Sequence, residues 1–249
     1  MPEEITQKEM LEKIVKEQGE QLDIGGSWFI VAGTLITAFG QSRNFLLSGE
    51  IGLQSVATGN AVEAFGNSLQ AIGLSKEYSV SREEYPLQQA IMGCWLQAGG
   101  NITNTVATEI EIKSDREDDE ELKRDSLKLN ALGSGVQSLG ASMEAIAFSE
   151  LKPTPGQELI VTGNGLIALG SSIDAIGNTF LLQEKEEEGD ILLLAGAWIQ
   201  AIGAMYELYG LTINTSISEE DKNGEGVDNL EERAYSYGMY KGGTANRYM

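Results

Sequence analysis

The side chains in this chain that could do chemistry are carboxylates, and they occur in three settings. The first is a run near the C-terminal end. Counting from Asp221, oxygen-bearing side chains recur at Asn223, Glu225, Asn229 and Glu232, and Gly226 falls at the sixth position, where a calcium-binding loop turns sharply. Position five is Glu rather than Asp or Asn, and position eight, normally apolar, is Asp228. A solvated acidic linker therefore competes with the calcium loop and is the preferred reading.

The second setting is two acidic runs, Glu117 to Glu121 and Glu184 to Glu188. Paired carboxylates can serve as general acid and base. These fall between predicted helices, where charge runs serve solubility. The third setting is Glu63, Glu144 and Asp174, single carboxylates among glycine and alanine. They read as residues of a polar helix face.

Other reactive groups are scarce. Histidine is absent, which removes the commonest general base and metal ligand. The single cysteine, Cys94, has no partner for an internal disulfide and reads as a small core residue. Gly163-Asn164-Gly165-Leu166-Ile167-Ala168 matches a G-x-G-x-x-A dinucleotide fingerprint, but no alternating strands and helices surround it. No catalytic residue and no cofactor-binding residue is assigned, and no cofactor is expected.

The elements that must position these groups are marked by glycine. Pairs seven residues apart occur at Gly33/Gly40, Gly59/Gly66, Gly93/Gly100, Gly133/Gly140, Gly163/Gly170 and Gly196/Gly203. Seven residues is two helical turns, and each glycine inside a helix costs about 0.5 to 1 kcal/mol relative to alanine. Close approach of neighbouring helices offsets that cost. The sequence therefore predicts an all-α, up-and-down bundle of about six long amphipathic helices built from glycine-heptad internal repeats.

Helices are predicted over 24–48, 50–75, 84–112, 119–149, 156–184 and 189–214. Residues 1–23 form an N-terminal amphipathic helix, bent before or continuous with the next, and 24–214 form the bundle. Residues 215–249 form an acidic, then Tyr/Gly-rich tail. On a helical wheel, large apolar residues fall two, three and six places after each glycine, as in Leu35, Ile36 and Phe39. Polar ones fall one and four places after it, as in Asn60 and Glu63. The apolar arc is expected to face the core and the polar arc the solvent. Trp28, Trp95 and Trp198 then read as core anchors, and the helices of the fifth and sixth glycine pairs, Gly163/Gly170 and Gly196/Gly203, as the centre of the bundle.

Seventeen Lys and Arg against 38 Asp and Glu give a net charge of −21, which excludes nucleic-acid binding as an expectation. The first residues are acidic and lack an apolar stretch after a basic start, so no targeting signal is read there. The longest uninterrupted apolar stretches fall short of the roughly 20 residues that cross a bilayer. A cytoplasmic, non-enzymatic protein of structural or protein-interaction type is expected, acting through self-association or a protein partner. The alternative is an amphitropic or pore-forming protein whose helices bury their apolar faces in a membrane. A third reading is a metal-independent enzyme using carboxylates and tyrosine.

Overall fold

The computed structural model describes residues 6–47, 49–81 and 85–222, with side chains described as far as Ser216. These residues form six helices: α1 (Gln7–Leu47), α2 (Glu50–Ser81), α3 (Tyr85–Glu117), α4 (Glu120–Glu150), α5 (Gln157–Leu182) and α6 (Glu186–Lys222). Among the described residues there is no strand. The architecture is an all-α up-and-down bundle, as the sequence predicts. Several helices run past their predicted ends. α1 runs without a break from Gln7 to Leu47, the continuous one of the two courses open there, α2 takes in Lys76 to Ser81, and α6 continues beyond residue 214.

Local signals explain the ends. Thr6 and Glu9 cap α1 reciprocally: the Thr6 amide donates to Glu9 Oε2, and Glu9 N donates to Thr6 Oγ1. Asp119 Oδ1 accepts from the amides of Glu121 and Leu122 at the start of α4. The acidic runs thus lie at turns, with Asp118 and Glu184 at positive φ in the connections. Gly49 joins α1 to α2 at φ 128°, a conformation that side chains rarely adopt.

Each helix packs its backbone closely on its chain neighbours, and α1 closes against α6; among the described residues the other pairs of helices meet only through side chains that reach across the axis. The bundle is a closed ring with no central helix. The expectation that α5 and α6 lie at the centre is overturned for that reason.

Within each hairpin the glycines face one another. A Cβ built on Gly26 would lie 2.6 Å from the carbonyl oxygen of Gly66, and one on Gly140 would lie 2.6 Å from that of Gly93. Gly163 and Gly203 make the same mutual approach, also at 2.6 Å. At such separations Cα–H groups contact the partner's carbonyls. The residue four places after one glycine covers the glycine opposite: Gln70 lies on Gly26, Glu63 on Gly33, Glu144 on Gly93 and Gln200 on Gly170. Side-chain-free notches thus make room for long polar side chains between closely packed backbones.

Candidate functional site

The sidedness of the helices is the reverse of the one expected. Residues one and four places after the glycines are buried, among them Ser27, Asn60, Glu63, Gln97, Gln137 and Gln200. Large apolar residues face outward instead: Phe29, Phe39, Phe65, Ile102, Leu139, Leu169 and Ile202 are all exposed. Trp28 is 61% exposed and Trp95 49%, so these are outer-face residues and not core anchors. Trp198 sits on the same outer face, where its indole Nε1 donates to Ser42 Oγ and its ring meets Phe39 edge-on. The wheel separates the two arcs correctly, but the ring turns the polar one toward its axis.

Two polar layers cross that axis. In one, Glu63 accepts from Thr37 Oγ1 at 2.9 Å and from Gln137 Nε2 at 3.5 Å. Gln137 Nε2 also donates to Gln200 Oε1 at 2.9 Å, and Gln200 Nε2 donates to Asp174 Oδ2 at 2.6 Å. This chain ties α1, α2, α4, α6 and α5 together. In the other layer, Gln70 Nε2 donates to Glu207 Oε1 at 2.7 Å and to Ser27 Oγ at 2.9 Å, while Gln97 Nε2 donates to Glu144 Oε1 at 2.7 Å.

The layers are built from one pattern used three times. α2, α4 and α6 each bring two long polar side chains seven residues apart to the axis: Glu63 and Gln70, Gln137 and Glu144, Gln200 and Glu207. Glu63 and Glu144 were legible in the sequence as carboxylates beside small residues, whereas Glu207 and Asp23 were not singled out. The signal for Glu207 was its place four residues after Gly203, equivalent to Glu63 after Gly59.

Beyond the second layer the axis opens into a cavity of about 390 Å³ at one end of the bundle. All six helices contribute to it. Asp23 lies at its inner side, and Lys16, Glu20, Glu77, Lys152 and Thr215 line it further out. Burial raises the Glu77 carboxyl to about 7, with Glu20 pushing the same way and Lys16 opposing. Toward the opposite end, burial also raises Glu111 to about 7, reinforced by Asp115.

The remaining sequence candidates find simpler places. Gly163 to Ala168 lie inside α5, with Gly163 packed on Glu207 of α6, so the fingerprint forms no strand-to-helix phosphate loop. Cys94 is fully buried, as expected of a core residue. Of the calcium-loop residues, the side chain of Asp221, together with Asn223, Glu225 and Glu232, lies outside the described residues. Among the described residues no group of three or more Cys, Asp or Glu is placed to hold a metal ion.

Fold and site together define a helical bundle that is polar along its axis and apolar on its outer surface. The chain belongs to DUF6944, a family of unknown function, whose profile matches residues 21–208. No curated protein and no solved structure matches the chain.

Proposed function

We propose that this protein is an integral membrane protein whose six helices cross the bilayer with their apolar outer faces against lipid. One observation carries the reading. In the stretches 24–42, 51–75, 88–108, 129–148, 159–182 and 191–213 the charged residues are Glu63, Glu144, Asp174 and Glu207, and all four turn toward the axis. Each stretch has about 20 residues, which at 1.5 Å per residue spans a hydrocarbon core of about 30 Å. A soluble bundle hides its aromatic and aliphatic side chains, whereas a membrane bundle presents them and turns its ionisable groups inward.

Composition supports the same reading. Among the described residues three of the six helices, α1, α5 and α6, each contain an 18-residue window of mean hydropathy 1.5, long and apolar enough to cross a bilayer. Run length in the sequence argues against spanning because amides and carboxylates interrupt each apolar stretch. Those interrupting residues are the ones on the axis, and they need no contact with lipid.

Expression of the full chain followed by alkaline washing and density flotation of the membranes tests the proposal. The protein is expected to stay with the floated membranes and to enter solution only with detergent. Recovery in the aqueous wash, or from the cytosol as a monodisperse species without detergent, overturns it.

A further inference from the structure

We propose that the bundle axis is a proton path, loaded from the cavity at Asp23 and running over Glu207 and Glu144 to the Glu63–Asp174 layer. The proposal rests on the membrane-embedded reading, since an axial path has an effect only where the two ends of the bundle face different compartments.

The charge inventory of the interior points to a positively charged cargo. Asp23, Glu63, Glu144 and Glu207 are buried, and Asp174 has an oxygen out of contact with solvent, yet no Lys or Arg is buried among the described residues. Carboxylates taken out of water must be neutralised by something they bind. The unpartnered atoms say the same. Among the described residues seven buried side-chain N and O atoms lack a hydrogen-bond partner, and six of them are oxygens: those of Asn67, Gln70, Asn101, Asn104, Asn164 and Asp174. Gln70 is the most telling, because its amide nitrogen is committed to Glu207 and Ser27 while its oxygen, in the same layer, has no donor. The oxygens of Asn104 and Asp174 lie against Gly133 and Gly196 of the neighbouring helix, so the unmet acceptor that belongs to the axial layer is Gln70 Oε1.

Geometry selects the proton over a metal ion. The carboxylates of the two layers are each held by amide or hydroxyl donors, and among the described residues no three Cys, Asp or Glu side chains are placed to hold a metal ion. A metal needs several oxygens at once, whereas a proton needs one. Asp23 from α1 lies within electrostatic reach of Glu207 from α6, Glu144 from α4, Cys94 from α3 and Glu77 from α2, and is hydrogen-bonded by Gln70. Glu20, Lys16 and Lys152 line the cavity with Glu77. Glu77, whose carboxyl burial raises to about 7, stands at the mouth where protons would enter.

Transfer breaks one O–H bond and forms another. A carboxylic acid at one position becomes a carboxylate, and the next carboxylate takes up the proton. Nothing is oxidised or reduced. Between the layers, Ile30 and Ile167 belong to an apolar cluster with Ala204 and Leu208. That cluster is the barrier in the path, a constriction of the kind that gates pores by excluding water.

The test reconstitutes the full chain in phosphatidylcholine/phosphatidylglycerol vesicles loaded with pyranine, with valinomycin and potassium to compensate charge. After an external acid step, the interior is expected to acidify faster than in protein-free vesicles. Glu144→Gln combined with Glu207→Gln is expected to return the rate to the protein-free value, and Ile167→Ser to raise it. Should the double variant not fold, as judged by circular dichroism, Thr215→Trp decides the matter: it fills the cavity from its rim and is expected to slow acidification. Protein that floats with the vesicles after alkaline washing but gives the protein-free rate overturns the proton path and leaves the membrane reading standing. Protein that does not float overturns both, and sodium or potassium flux through the wild type overturns the choice of cargo.

Discussion

Gly26 of α1 and Gly66 of α2 stand so close that a Cβ on either would lie 2.6 Å from the other's carbonyl oxygen. Real Cβ atoms do not tolerate that separation from backbone. Gly66→Ala must therefore spread the two helices, at a cost of about 1 to 3 kcal/mol, only partly offset by the roughly 1 kcal/mol that alanine gains in helix propensity. Gly25, Gly99, Gly135 and Gly165 are the controls, for a Cβ there meets nothing within 4 Å. Alanine at those sites is expected to leave stability unchanged or raise it by about 0.5 to 1 kcal/mol. Thermal unfolding in detergent, followed by circular dichroism, separates the two groups. Equal effects at Gly66 and Gly25 would remove the close-approach account.

Gln70 and Glu207 are coupled across the axis, from α2 to α6. Gln70→Leu leaves the Glu207 carboxylate without its amide donor and is expected to destabilise by about 1 to 3 kcal/mol. Replacing both partners with leucine removes the unmet group as well, so the double variant is expected to lose less than the sum of the single losses. A double-mutant cycle on unfolding midpoints measures the coupling. Additive losses would mean that the bond seen at 2.7 Å contributes nothing specific.

Glu77 and Glu111 set a pH dependence. Both carboxyls are raised by burial to about 7 from the ordinary 4.5, so between those values the folded protein binds more protons than the unfolded chain. The stability they contribute is fully present below pH 4.5 and is lost as pH rises through 7. Unfolding temperature in detergent is thus expected to fall across that window, and Glu77→Gln and Glu111→Gln to flatten the fall. A midpoint that rises from pH 5 to 7 in the wild type reverses the sign and sinks the assignment.

The three tryptophans report the surroundings of the outer face. Trp28 and Trp95 are exposed, and Trp198 lies beside Phe39 on the same face. In vesicles, their fluorescence is expected to be quenched strongly by brominated lipid and weakly by aqueous acrylamide. The opposite ranking places the outer faces in water. Leu139, also on that face, offers a complementary check. Leu139→Lys is expected to cost about 3 to 4 kcal/mol of insertion free energy, visible as a loss of membrane-integrated protein.

Much of the architecture is legible in the residue order, because it follows from local periodicity. Glycine at two-turn spacing forces helices to pack closely, the connections carry caps and prolines, and the wheel separates an apolar arc from a polar one. Glu63, Glu144 and Asp174 could be picked out as carboxylates in small-residue surroundings, and Cys94 as a buried residue. What no helical wheel contains is the side from which each arc is covered. An amphipathic helix has the same moment whether its apolar arc meets a core or meets lipid. That choice fell to closure of the ring, which set α1 against α6 and turned the arc bearing Glu63, Gln137 and Gln200 onto a shared axis. Contacts such as Gln70 with Glu207, separated by 137 positions in the chain, exist only once the ring has closed. Spacing along the chain determined the helices and their notches, while the inward course of the polar layers was decided by which faces the closed ring could bring together.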